Sequence, residues 1–164
     1  MTRRAFLGIA ALAASNLAAA RPPADAAGAH PDIRRLLDRL YKTFSYAPQQ
    51  EPDWATMRAC FLDGAVFVLE AGAGQRPVGQ GIDAMIADWQ KTTRAESSNP
   101  GFSEWIEHAA IHRNGKVASV DVRFGARQAG DLRPRQPGLD SLQLMLDGDA
   151  WKVTAFVVQR EARS

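Results

Sequence analysis

Asp53-Trp54-Ala55-Thr56-Met57-Arg58-Ala59-Cys60-Phe61-Leu62-Asp63-Gly64-Ala65-Val66-Phe67 takes the chain from a helix into a strand, and the reading of the fold hangs on it. Asp53 can cap the helix, because its carboxylate accepts from first-turn amides that have no partner inside the helix. Trp54, Met57 and Phe61 follow at helical spacing. Ala65-Val66-Phe67-Val68-Leu69-Glu70 is rich in β formers and predicts a short strand. Gly72, Gly74 and Pro77 then read as loop.

Upstream, Ile33, Leu36, Leu37, Leu40 and Phe44 define one apolar helix face. Pro31 and Asp32 suit its first turn, where proline lacks only an unneeded donor and an acid complements the helix dipole. The stretch Ala47-Pro48-Gln49-Gln50-Glu51-Pro52 ends it. Downstream, Ile82, Met85, Ile86 and Trp89 form one stripe and predict a third helix from about Ile82 to Thr92, with Gly79 and Gly81 punctuating its start.

The second half reads as strands. Phe102–His112 is a candidate, and Asn114-Gly115 signals a tight hairpin. Lys116–Arg127 alternates, with Ala118, Val120, Val122 and Phe124 on one face and Ser119, Asp121 and Arg123 on the other. That alternation favours an outward place for Asp121 and Arg123, on a dimer face or in water, over an inward one as a buried ion pair in a pocket. A loop over about 128–138 precedes Leu142, Leu144 and Leu146, which alternate with Ser141, Gln143 and Met145. Asp147-Gly148-Asp149 turns the chain into Trp151–Arg160, apolar on both faces. Helices, a strand, a helix and then antiparallel strands predict an α+β domain, with about three helices packed on one face of a curved, mostly antiparallel sheet.

The composition is that of a globular domain: 164 residues, 46% apolar and 23% charged. The pI near 9.0 invites a nucleic-acid reading. The whole chain carries 20 basic and 18 acidic side chains. Arg3 and Arg4 lie in an N-terminal segment that reads as removable and holds no acid up to residue 20, so its loss leaves 18 against 18. A neutral body has no net pull toward polyanions, and no nucleic-acid partner is expected. The local basic run Arg127, Arg133 and Arg135 reads as a solvated loop. The single cysteine, Cys60, permits no intrachain disulfide, and its apolar neighbours mark it as packing.

Residues 1–26 read as an address. Arg3-Arg4 precedes Phe6-Leu7, a short apolar run over Gly8–Ala14 and small residues at Ala18-Ala19-Ala20. The run is far shorter than the roughly 20 residues a bilayer span needs, so no stable membrane span is expected. Thr2-Arg3-Arg4-Ala5-Phe6-Leu7 resembles the twin-arginine export motif, which implies export in a folded state to the periplasm or beyond. Residues 27–31 then form a flexible lead-in to a domain over 32–160.

The Asp53–Phe67 stretch, Gly79-Gln80-Gly81-Ile82-Asp83-Ala84-Met85-Ile86 and Trp151-Lys152-Val153, in that order, resemble the nuclear transport factor 2-like (NTF2-like) superfamily, and more loosely its SnoaL-like polyketide-cyclase and ketosteroid-isomerase branch. The resemblance covers roughly residues 32–160. It implies a cone, with a bent sheet wrapped around helices and an apolar pocket open at one end. It also implies a homodimer through the outer sheet face. It implies no single activity, since fold does not fix chemistry. The isomerase residues do not carry over cleanly. Leu69 falls where the basic carboxylate is expected, with Glu70 beside it. The donor tyrosine falls near Leu40, with Tyr41 beside it. The buried acid falls near Leu142, with Asp140 two residues earlier on the same face. Ketosteroid isomerisation is not predicted.

The candidate site residues are therefore individual. His108, Asp140 and Glu70 are candidate catalytic groups, as an imidazole base and two carboxyls near a pocket mouth. Tyr41, Trp89 and Trp105 are candidate ligand contacts. His108 and His112 share a strand face about 13 Å apart, too far to hold one metal ion. No phosphate loop, dinucleotide fingerprint or nucleophile triad is present, so neither cofactor nor metal is expected. The expectation is an exported pocket protein binding a small hydrophobic ligand. The alternatives are a non-catalytic dimeric protein-binding module and a cofactor-free lyase or isomerase.

Overall fold

A computed structural model describes residues 29–69, 76–95, 99–130 and 136–160. Three helices, α1 (Pro31–Phe44), α2 (Trp54–Ala59) and α3 (Ile82–Ala95), accompany six strands. The strands are β1 (Phe61–Leu69), β2 (Val78–Gly81), β3 (Phe102–Asn114), β4 (Val117–Gln128), β5 (Gln136–Asp147) and β6 (Ala150–Arg160). They form one sheet in the order β2-β1-β6-β5-β4-β3. All neighbours run antiparallel except β1 and β6, which are parallel. This is the α+β arrangement that the element order predicts.

α1 forms for the reasons visible in its sequence. Pro31 occupies its first turn, and Ile33, Leu36, Leu37, Leu40, Tyr41 and Phe44 turn a buried face toward the sheet. Each such side chain contributes about 1.5–3 kcal/mol by leaving water, which makes this face the main attachment of the helix. The N-terminal end of α1 is pinned to the sheet by polar groups. The Trp151 indole N–H on β6 donates to Asp32 Oδ2 at 2.7 Å, and Arg113 on β3 reaches the same oxygen at 3.2 Å. Burial works against the Asp32 carboxylate, but the Trp151 N–H, two backbone amides and Arg113 outweigh it and hold the acid below its ordinary range.

Asp53 caps α2 by accepting from the Thr56 amide at 3.0 Å. The helix is shorter than expected, and Phe61 opens β1 instead of closing the helix. β1 is irregular between Phe61 and Val66, where Gly64 adopts φ 78°. Glycine meets no steric penalty there. Val78–Gly81, read from its glycines as punctuation, is an edge strand on β1.

Two strand irregularities decide which side chains face the helices. On β3, Ile106 pairs with Phe124 and His108 with Arg123, so Glu107 is an extra residue. On β6, Val153 pairs with Leu144 and Ala155 with Gln143, so Thr154 is extra. A bulge of one residue swaps the faces of everything beyond it. β6 therefore does not expose an apolar row on each face, as its sequence implies. Trp151 and Val153 before the bulge and Phe156 after it are all buried, while Val157 stands outward. Asp121 and Arg123 lie outward, opposite the buried Val120, Val122 and Phe124.

Candidate active site: an aromatic cavity floored by a tyrosine–aspartate pair

The inner face of the sheet does not meet the helices along its whole length. Between the C-terminal part of α1, one side of α3 and the nearby ends of β1, β3, β4, β5 and β6 lies a cavity of about 580 Å3. That volume is within the range of small-molecule sites, about 300–1,000 Å3. Phe44, Phe67, Met85, Trp89, Phe124 and Phe156 supply much of its apolar wall. Phe67 stacks on Phe156 with ring centres 5.0 Å apart, and Phe44 meets Phe156 edge-on at 5.9 Å. Gly138 on β5 lets Phe124 lie flat, since a Cβ there would fall 2.2 Å from its ring.

Asp140 is a polar group deep in this wall, only 1% exposed. It belongs to the β5 row whose inward members include Gly138, Leu142 and Leu144. The Tyr41 hydroxyl of α1 donates a short hydrogen bond to its Oδ2. Tyr41 itself is held in place by the α1 core face and an edge contact with Phe44. Burial, then the Asp140 carboxylate, then Glu104 push the Tyr41 phenol far above its ordinary pKa. It is a fixed donor. Glu104 on β3 also lines the cavity. Before the bulge it shares the inward face with Phe102 and Ile106. Gln80, Asp88, Thr92 and Gln128 add polar groups to the wall.

The structure thus brings Tyr41, Asp140 and Trp89 to one place, with Tyr41 behind Asp140 instead of on the cavity surface. His108 is exposed on the outer side of β3, beyond the bulge, and Trp105 is 38% exposed on that same outer side. Neither lines the cavity. His112 is half-buried, away from the cavity lining. Glu70 lies outside the described residues, as do residues 1–28 with their export motif. Glu104 was passed over in the sequence, although Phe102-x-Glu104-x-Ile106 carries the signal: a carboxylate alternating in step with apolar neighbours. Cys60 is buried, and burial raises its thiol pKa, as befits a packing residue. Among the described residues no His, Cys, Asp and Glu cluster could hold a metal ion. No described helix is long and apolar enough to cross a membrane. A second depression of about 340 Å3 beside α2 is walled partly by Arg58, whose guanidinium is bound to Asp63 and Asp83 at 2.7 and 2.5 Å.

This architecture has known counterparts in structure but not in sequence. No family model matches the chain, and no curated protein matches it. An NTF2-like protein of unknown function from Pseudomonas putida superposes with a TM-score of 0.62 at 17% identity, over 80% of this chain and 85% of that one. One from Shewanella baltica gives 0.53 at 15% identity, over 80% and 93%. A protein of unknown function with a cystatin-like fold from Nostoc punctiforme gives 0.61 at 12% identity, over 79% and 89%. With a curved six-stranded sheet, three helices and an aromatic cavity between them, the chain has the NTF2-like fold.

Proposed function

We propose that this protein binds a small, largely apolar molecule in the cavity between α1, α3 and the sheet, and engages its polar end through Asp140. The observation that carries this reading is a carboxyl group, almost wholly buried, in the wall of an aromatic cavity and held by the Tyr41 hydroxyl. Burying a carboxyl costs free energy unless it is bonded, and such groups concentrate at functional sites. Tyr41 fixes one oxygen, so the group is oriented before any ligand arrives. The direct test is uptake of Nile red, a neutral apolar dye, followed by its fluorescence. A saturable signal, weakened when Ala126 in the wall is enlarged to Phe, is expected. Absence of uptake, together with no hit from a screen of small apolar fragments, would sink the reading.

A second reading, proton transfer without a cofactor as in a lyase or isomerase, is favoured by Glu104 near the same pair. Two carboxyls in one cavity can hold a single proton between them, one serving as acid and the other as base. Turnover of a candidate substrate that survives both Asp140→Asn and Glu104→Gln would exclude it.

We further infer a homodimer, or a partner contact, on the outer sheet face. Trp105, Val117, Leu139, Met145 and Val157 stand outward there at 38–46% exposure, among polar neighbours such as Asp121 and Ser141. Mixed faces of this kind are common at interfaces. A monomeric mass by sedimentation would count against the dimer. Export by the twin-arginine route rests on Thr2-Arg3-Arg4-Ala5-Phe6-Leu7, and replacing both arginines by lysine should keep the chain in the cytoplasm on fractionation.

A further inference from the structure

The α3 wall of the cavity is not fastened equally along its length. Ile82, Met85 and Ile86 anchor the start of the helix in the core. Beyond Ile86, Trp89 is the only large apolar side chain of α3, yet this part brings Asp88, Trp89 and Thr92 to the cavity. The half-buried Trp89 indole is supported from behind. The Trp54 ring of α2 meets it edge-on at 72°, with ring centres 5.5 Å apart, and Phe44 lies against it at 5.9 Å. Edge-on ring pairs are favoured contacts, so the Trp54 orientation bears on that of Trp89. Trp54 is itself fixed, because its indole N–H donates to Glu51 Oε2 at 2.8 Å. Arg94, in the last turn of α3, closes on the same carboxylate, with Nε donating to Oε1 at 2.8 Å and an Nη2 hydrogen bond to Oε2 at 3.2 Å. One carboxylate, in the loop before α2, thus joins the ring behind Trp89 to the helix that carries Trp89. None of Glu51, Trp54 and Arg94 lines the cavity. Exposed ion pairs taken singly contribute little, and here the side chains of Arg94 and Glu51 are 63% and 38% exposed. A two-pronged arginine fork that shares its carboxylate with a third donor fixes direction more than it adds stability.

Resting on the pocket reading above, we infer that Glu51 is a positioning residue of the ligand site: through Trp54 and Arg94 it holds the Trp89 indole as the α3 wall against which an apolar ligand packs. Without the carboxylate, Trp54 is free to rotate and the end of α3 to shift, while Ile82, Met85 and Ile86 keep the helix on the core. The ligand then loses a preset aromatic contact, which is the benefit that a wall locked by its surroundings provides. A clamp with a purely structural role would instead lower stability and leave affinity alone.

Glu51→Ala, Trp89→Leu and the double variant, each as the full chain, separate the two roles. Nile red titrations give the affinity, and far-ultraviolet circular dichroism reads the exciton couplet that two edge-on indoles produce. Glu51→Ala, a change at an exposed side chain, should keep the helical signal, weaken the couplet and reduce dye affinity about two- to tenfold, the range that one aromatic contact is worth. Trp89→Leu should abolish the couplet and reduce affinity at least as far. In the Trp89→Leu background Glu51→Ala should cost no further affinity, because a residue that acts through another has no effect once that other is gone. Three results overturn the inference and leave the pocket standing: wild-type affinity in Glu51→Ala, an unchanged couplet in that variant, or an affinity loss that persists in full without Trp89. If the wild-type chain takes up neither the dye nor any apolar fragment, the pocket reading has failed and this inference falls with it.

Discussion

Removing a single oxygen atom, in Tyr41→Phe, should reveal how the cavity floor is held. The phenyl ring keeps the packing of α1, including the edge contact with Phe44 at 5.4 Å, so the change is confined to the hydroxyl that donates to Asp140 Oδ2. A hydrogen bond to a charged group contributes about 1.5–3 kcal/mol, and Tyr41→Phe should destabilise the domain by about that much at pH 7. The pH dependence gives the sharper test. Burial first, and Asp140 next, raise the Tyr41 phenol above its ordinary pKa of 10.0. A group whose pKa is raised on folding contributes stability that is complete below its unfolded pKa and lost as pH climbs toward its folded one. Wild type should therefore lose about 1.4 kcal/mol per pH unit above pH 10 from this group, and the Phe variant, which has no phenol to ionise, should not. The gap between the two proteins should be constant from pH 6 to 9 and close at higher pH. Urea denaturation of both chains in matched buffers across that range measures it. Equal stability at pH 7, or a gap that widens in alkali, would refute the assignment of Tyr41 as a buried neutral donor to Asp140.

Two further outcomes follow from the same geometry. Asp32, held below its ordinary range by Trp151, backbone amides and Arg113 in spite of burial, contributes stability that is present above the usual carboxylate pKa and lost as pH falls through its lowered one. Asp32→Asn should flatten acid denaturation below about pH 4, measured by circular dichroism, and an unchanged acid profile would show the pairing to be inert. Gly138→Ala places a methyl group 2.2 Å from the Phe124 ring, so the ring must move toward the cavity. Overpacking of this kind costs about 1–3 kcal/mol, and Nile red should bind more weakly in proportion as the ring intrudes.

How much of this was legible in the chain depends on the range over which each signal acts. α1 and α3 were readable because their apolar stripes are local, and Trp89 reached the cavity with its stripe. The cap at Asp53 was equally local. Tyr41 and Asp140 each stood out singly, yet their meeting was not readable. They lie 99 residues apart, and their contact depends on where α1 settles across the sheet, which no local pattern states. Aligning them against isomerase positions left each off by one or two residues.

The harder failure lies in the bulges, and it explains why His108 was placed at the pocket. Counting by twos along β3 from Phe102 puts Glu104, Ile106 and His108 on one face, which would turn the imidazole inward. Glu107, the extra residue, breaks that count: Glu104 stays inward, His108 turns outward, and the inward row resumes at Ala109 and Ile111. On β6, Thr154 does the same, and converts an apparently two-faced apolar strand into one whose buried residues are Trp151, Val153 and Phe156. Glu107 and Thr154 carry no local mark of their role, because a bulge is a mismatch between two strands and not a property of either. The chemistry of the site follows from that mismatch. With His108 inside, the cavity would set an imidazole beside its carboxyls; with Glu104 and Asp140 inside and His108 out, the acids of its described wall stand among aromatic rings with no imidazole at hand.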